Sequence, residues 1–138
     1  MDKQALVAAL NEDLGTEYQS IIQYNQHVAT LKGLEVQSTI QELRSHLTQE
    51  LQHATILAEQ IDFLGGVPAV TVPPIATETD TMRALQLDLQ LEQRQLDRYR
   101  QRIDQATELS LHDVADAIRP LLQQTQEHVR DLQSALGV

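Results

Sequence analysis

Apolar residues recur at three- and four-residue spacing in two long stretches of the chain, the pattern of amphipathic helices. Leu6 and Leu10 show the pattern in the first stretch, and Leu85 and Leu89 show it in the second. A segment rich in glycine and proline, residues 65–74, separates the two stretches. Because both residue types interrupt helices, this segment is predicted to be a loop.

Each stretch is broken once more, which gives four predicted helices. Gly33 is expected to cap the C terminus of the first helix. Ser110 and Asp113 have the spacing of a capping box, which predicts a new helix just after Ser110. The predicted helices span residues 3–31, 35–64, 80–108 and 111–136.

The lengths of the connections predict how these helices are arranged. The first and last connections are short, so each joins two helices into an antiparallel hairpin. Residues 65–79 are different, since an extended segment of this length spans up to roughly 50 Å while a helix of this size is about 40–45 Å long. We therefore expect an all-α four-helix bundle in a single domain, residues 1–138, with one long crossover that makes helices two and three parallel.

The two halves of the sequence match at one constant shift, the repeat offset, which places Tyr24 on Tyr99. The same shift places His53 on His128, although the chain has only three tyrosines and five histidines. It also aligns three further pairs: Asp13 with Asp88, Glu17 with Glu92, and Leu57 with Leu132. These matches predict an internal duplication with a pseudo-twofold axis.

Glutamate and histidine residues have the spacing of a dinuclear metal site. Glu50 and His53 are one helical turn apart, so they share one face of the second helix. The number of residues between Glu17 and Glu50 equals the number between Glu92 and position 125. Hairpins with equal arms would place each glutamate opposite a partner one turn before a histidine. One glutamate from each of two helices, with Glu-x-x-His from the other two, is the ligand set of di-iron or di-manganese bundles.

On these residues the chain resembles the bacterioferritin branch of the ferritin-like superfamily over nearly its whole length. The resemblance rests on Glu17, Tyr24, Glu50-Leu51-Gln52-His53, Leu64-Gly65-Gly66-Val67-Pro68, Asp88, Glu92, Tyr99 and Glu127-His128-Val129-Arg130-Asp131-Leu132. It implies a diiron centre that oxidises Fe(II) with oxygen or peroxide. In the family pattern, Glu17 and His53 hold one metal ion, Glu92 and His128 hold the other, and Glu50 bridges the two.

Two departures from the family pattern bear on function. Thr125 stands where the family has a second bridging glutamate, and a hydroxyl is a poor neutral ligand beside a carboxylate. Leu51 stands where bacterioferritins carry the haem-binding methionine, so no haem is expected. The expected cofactors are two iron ions, with manganese as a possibility. Pro120 is expected to kink the last helix just before the site.

Several other polar residues are expected near these ligands. Tyr24 is grouped with the five ligands as a catalytic residue; it and Tyr99 are expected to hydrogen-bond buried carboxylates, and a radical role stays open. Asp13 and Asp88 are expected to accept hydrogen bonds from imidazole N–H groups. His46 has three alternatives: an extra ligand, a site of metal entry, or simple packing. The two remaining histidines, His27 and His112, are expected at the surface.

Composition and charge narrow the classes of function. Hydrophobic residues make up 41% of the chain and aromatic residues 3%, which favours an aliphatic helical core. The absence of cysteine excludes thiolate zinc sites and iron–sulfur clusters, so any metal must bind carboxylates and imidazoles. The net charge of -10 disfavours nucleic acid and anionic membranes as partners. No apolar run has membrane-spanning length, and the first residues lack a signal-peptide pattern, so a cytoplasmic location is expected.

Three functional hypotheses follow. The first is a ferroxidase-like diiron protein in iron homeostasis or oxidative-stress protection, expected to act as a homo-oligomer, dimer or larger, with metal ions and oxygen or peroxide as partners. The second is a metal-binding or structural bundle whose diiron site is inactive because Thr125 leaves it incomplete. The third, a diiron oxygenase or manganese catalase, ranks last because no residues indicate a pocket for an organic substrate.

Overall fold

Four helices form the fold in the computed structural model, which describes all 138 residues. They are α1 (Lys3–Thr30), α2 (Gln37–Phe63), α3 (Thr81–Glu108) and α4 (His112–Leu136), and a short 3-10 turn, Leu34–Val36, precedes α2. There is no β-strand, so the predicted all-α fold is confirmed. The predicted helix boundaries lie close to the observed ones. No helix is long and apolar enough to cross a membrane.

Two predicted helix caps are wrong. α1 ends at Leu31, which is extended, and Gly33 instead has a φ of 121° just before the 3-10 turn. Ser110 closes α3 instead of opening α4. Its backbone has a φ of 62°, and Leu111 N–H bonds to Ala106 O at 2.8 Å. That closure is a Schellman motif, so the left-handed position that usually takes glycine is filled here by serine.

Contacts between helices fix their directions. Asp13 of α1 contacts Arg102 of α3, and Tyr24 of α1 contacts Glu92 of α3, so α1 and α3 are antiparallel. The α2–α4 contacts also run in opposite directions, from His46–Asp131 to His53–Gln124. Because α1 and α2 form a hairpin, α2 and α3 must be parallel. One long crossover joins them, as the sequence predicts.

The crossover lies along α1 and follows its direction. Hydrogen bonds join the two segments at three successive points: Asn11–Val67, Gln19–Pro74 and His27–Glu78. Gly15 of α1 faces the crossover, and a Cβ there would lie 3.4 Å from Thr71 O, an ordinary contact distance. His27 is fully buried in this arrangement, so its predicted surface position is wrong. His112 is exposed, as predicted.

The core consists of two aliphatic clusters with a polar layer between them. One cluster contains Leu6, Leu10 and Leu14 near the start of α1, and the other contains Tyr24 and Val28 near its end. On all four helices, buried glutamate, glutamine or histidine side chains lie between the two clusters. The helices therefore hold a layer of ionisable groups away from water, which is unfavourable unless those groups are paired or bind metal.

Candidate metal centre

The fold brings together the five residues predicted to bind metal, each at most 1% exposed: Glu17, Glu50, His53, Glu92 and His128. Their oxygen and nitrogen atoms form two clusters, Glu17–Glu50–His53 and Glu50–Glu92–His128, in which the ligand atoms lie within 4.8 Å of one another. Glu50 belongs to both clusters. The arrangement therefore suits two cations that share one carboxylate.

Both histidines direct Nδ1 towards the carboxylates. His53 Nδ1 lies 3.7 Å from Glu17 Oε1 and 3.5 Å from Glu50 Oε2. His128 Nδ1 lies 2.8 Å from Glu50 Oε1 and 3.4 Å from Glu92 Oε1. The Nδ1 atoms are thus the nitrogens available to a cation between the helices.

Two glutamines hold the opposite sides of these imidazole rings. His53 Nε2 donates to Gln124 Oε1 at 2.7 Å, and His128 Nε2 donates to Gln49 Oε1. An amide oxygen only accepts, so each Nε2 keeps its hydrogen and Nδ1 is left for the metal side. We did not predict either glutamine. Gln49 falls on Gln124 at the repeat offset, so the duplication contained the information needed to find them.

Two tyrosines support the ligand carboxylates from the opposite half of the chain. Tyr24 Oη donates to Glu92 Oε1 at 2.8 Å, and Tyr99 Oη donates to Glu17 Oε1. Burial, and then the charge of the bonded glutamate, raises the pKa of each phenol well above its usual value. Both tyrosines are therefore neutral donors at pH 7. Hydrogen bonds to buried carboxylates were predicted for both, and the catalytic role of Tyr24 stays a prediction.

Some buried polar atoms in the centre have no partner in the protein. Glu17 Oε2 and His53 Nδ1 are inaccessible to water and make no hydrogen bond. Buried polar atoms are normally paired, and leaving one unpaired costs about 1–3 kcal/mol. Both atoms belong to the Glu17–Glu50–His53 cluster, so a cation placed there would satisfy them. Their chemistry, one carboxylate oxygen and one imidazole nitrogen, fits iron or manganese.

The three buried glutamates of the centre differ in their affinity for protons. Burial raises the pKa of Glu50 well above its usual value, and the nearby charges of Glu17 and Glu92 add to that rise. Burial acts in the same direction on Glu17, but its polar interactions with Glu50 and His53 outweigh burial and lower the pKa of Glu17 to about 2. Without metal, Glu50 is therefore the first of the three carboxylates to take up a proton as the pH falls. Where Glu50 is protonated, a cation would have to displace that proton.

Asp13 and Asp88 support α1 and α3 rather than the ligand histidines. Asp13 pairs with Arg102 at 2.8 Å, so its predicted bond to an imidazole is wrong. Asp88 does bond an imidazole, at 2.9 Å, but the ring is that of His27, which is not in either cluster. Burial outweighs the Arg102 charge and raises the pKa of Asp13 to about 6. The two partners, His27 and Arg102, again correspond at the repeat offset.

Thr125 is fully buried on α4, one turn before His128. Its hydroxyl donates to Leu121 O at 2.7 Å, so the proton is directed at the helix backbone. Thr125 therefore gives the centre no negative charge. α4 continues as an α-helix through Pro120, from His112 to Leu136.

Comparison with known proteins agrees with this geometry. A family model described as the ferritin-like domain matches residues 7–138. A crystal structure described as ferritin-like, diiron-carboxylate proteins from Bacillus anthracis str. Ames has a TM-score of 0.93 and 30% identity, over 99% of each chain. No protein of curated function matches the sequence. The chain belongs to the ferritin-like family, as its resemblance predicted.

Proposed function

We propose that the protein binds two iron ions in its two ligand clusters and oxidises Fe(II) with oxygen or peroxide. The observation that carries this proposal is the pair of buried clusters that share Glu50. The description of the similar solved structure as a diiron-carboxylate protein supports iron, and manganese would suit the same donors. Such a ferroxidase-like activity would serve iron homeostasis or protection against oxidative stress.

Glu17 and His53 would hold one ion, Glu92 and His128 the other, and Glu50 both. Bound iron would supply the redox chemistry, in which two ferrous ions lose one electron each and the oxidant takes up two electrons and two protons. The remaining contribution comes from side chains that fix the ligands. Tyrosine hydroxyls hold one oxygen of Glu17 and of Glu92, and glutamine amides hold the outer nitrogen of each histidine. The ligands are pre-organised, which keeps the reorganisation on binding small.

A cytoplasmic homo-oligomer is the proposed working form. Exposed apolar side chains on neighbouring helices, Ile22 of α1 and Leu51 of α2, are consistent with a protein interface. The net charge of -10 draws metal cations and disfavours nucleic acid.

Thr125 favours a second candidate function, a metal-binding bundle without redox activity. Two divalent ions carry four positive charges, and the ligand set contains only three carboxylates, Glu17, Glu50 and Glu92. A neutral threonine in place of a fourth carboxylate removes charge that would stabilise Fe(III) over Fe(II). A site of this kind would retain divalent ions but oxidise iron slowly.

An oxygen pulse on protein loaded anaerobically with Fe(II) separates the two candidates. We expect metal analysis to find two ions per chain, and stopped-flow absorbance to show ferric species forming at least about tenfold faster than in buffer, equivalent to about 1.4 kcal/mol in the barrier. Thr125→Glu should accelerate this reaction further, and Glu50→Gln should abolish it. Circular dichroism would check that each variant is folded. Oxidation by Thr125→Glu alone would favour the inactive-site candidate, and absence of bound metal in the wild type would contradict both.

A further inference from the structure

His46 connects the buried centre to the protein surface. Its ring stacks on that of His128 with 4.0 Å between centroids, and its Nε2 bonds Asp131 Oδ2 at 3.0 Å. The His46 side chain is 3% exposed, whereas that of Asp131 is 45% exposed. Asp131 and His46 therefore form a chain of two contacting side chains between solvent and a proposed metal ligand.

The other half of the molecule lacks this histidine–aspartate pair. At the repeat offset, His46 corresponds to Leu121 and Asp131 corresponds to Ile56. Leu121 is buried in the aliphatic core and Ile56 packs against the same cluster. A cation that crossed there would have to leave water for an aliphatic layer, which is strongly unfavourable. The duplication therefore supplies an internal comparison in which only one half carries polar residues at these two positions.

The surface end of this path attracts cations. Burial raises the pKa of Glu42, and the charge of the nearby Asp131 adds to the rise. Two neighbouring carboxylates concentrate divalent cations at a surface. At the inner end, His46 Nδ1 is buried and makes no hydrogen bond. That nitrogen offers a transient ligand between the surface and the centre.

We propose that Asp131 and His46 form the inlet through which divalent cations reach the centre. Asp131 would capture the hydrated ion, and the His46 imidazole would replace part of its water as it passes towards His128. His46 belongs to neither ligand cluster, so its role is in transfer and not in final binding. The inlet rests on the proposed metal centre, but it concerns the rate of filling and not the number of ions.

Stopped-flow binding of Co(II), followed by its visible absorption, tests the inlet without any redox reaction. At low ionic strength, Asp131→Asn should slow binding by about threefold or more, because one steering charge is lost. His46→Leu, which installs the residue type of the matching position 121, should slow binding by about tenfold or more. Both variants should still take up as much cobalt as the wild type. His112→Leu changes an exposed histidine elsewhere on the surface and should leave the rate unchanged.

Each other outcome has a defined meaning. Unchanged rates in both variants, or faster binding in His46→Leu, would overturn the inlet, the latter by showing that His46 is a plug. Reduced cobalt uptake in His46→Leu would make His46 a ligand and also overturn it. No cobalt binding by the wild type would refute the proposed metal centre, and the inlet with it. If His46→Leu fails to fold, the surface variant Asp131→Asn decides the question.

Discussion

The two hairpins of the bundle, α1–α2 and α3–α4, supply matching candidate ligands in unequal surroundings. Glu17 and His53 of the first hairpin correspond to Glu92 and His128 of the second, and their tyrosine and glutamine partners correspond as well. Other pairs of buried positions differ, among them Glu50 with Thr125, His27 with Arg102, and His46 with Leu121. The comparison shows that the duplicated fold keeps its donor geometry while charge and solvent access differ between the halves.

The difference makes the two clusters chemically unequal. The first hairpin alone supplies a complete set, Glu17, Glu50 and His53, whereas the second cluster takes Glu50 from α2. The unpaired atoms lie in the first cluster, while His128 Nδ1 in the second is already 2.8 Å from a Glu50 oxygen. We therefore expect the first cluster to bind a cation more tightly, because no hydrogen bond there has to be displaced.

The largest expected effect comes from removing the shared carboxylate. Glu50→Gln should weaken the binding of both ions by at least about 100-fold, or about 2.7 kcal/mol, because each cluster loses a charged ligand. Zinc titration by calorimetry would measure the loss. Glu127→Gln, an exposed change beside His128, is the matched control and should bind like the wild type. One ion retained by Glu50→Gln at wild-type affinity would show that Glu50 is not shared.

A smaller effect should distinguish the two clusters. His128→Ala leaves the first cluster intact and His53→Ala leaves the second, so each variant should keep one zinc ion per chain. The ion kept in His128→Ala should bind about tenfold tighter, since one hydrogen bond of about 1.4 kcal/mol separates the clusters. Competition with a calibrated chelator would measure both constants. Equal affinities would contradict the inequality of the two halves.

The smallest effect concerns the metal-free protein. Because the folded pKa of Glu50 lies above its ordinary value of 4.5, its contribution to stability is fully present below that value and is lost as pH rises through the folded pKa. Glu50→Gln stays neutral at every pH. Without metal at pH 7 it should therefore unfold about 3–5 °C above the wild type, the shift that about 1 kcal/mol gives in a domain of this size.

Thermal unfolding followed by circular dichroism, with a chelator present, would test this difference. The gain should vanish near pH 4, where Glu50 is protonated in both states. With saturating zinc the order should reverse, because metal binding stabilises the wild type more. A gain of equal size at pH 4 and pH 7 would show that the variant acts through packing and not through charge.

The convergence of the candidate ligands was predictable because helical geometry alone relates them. A separation of one turn places Glu50 and His53 on one face, and equal hairpin arms place Glu17 opposite them. The partners of Asp13 were not predictable in this way, because the choice of Arg102 depends on packing across two helices. His27 looked like a surface residue because the crossover that buries it has no periodic pattern from which its position could be predicted.

Glutamines and helix ends escaped prediction for a different reason. Gln49 and Gln124 are of a residue type that is usually solvated, so nothing but the repeat distinguishes them from surface residues. Ser110 and Asp113 fit a capping box, yet Ser110 also tolerates the left-handed turn that ends a helix. Local spacing cannot decide between these two uses, whereas the backbone bond from Leu111 to Ala106 does.

Because the crossover joins the two hairpins covalently, their association is intramolecular. Pinned along α1 by Asn11, Gln19 and His27, the crossover delivers α3 to the bundle in a fixed direction. A tether of this length gives an effective concentration in the millimolar range, far above that of a protein in dilute solution. Dilution therefore cannot separate the halves of the centre, and Glu50 meets Glu92 and His128 however scarce the protein becomes.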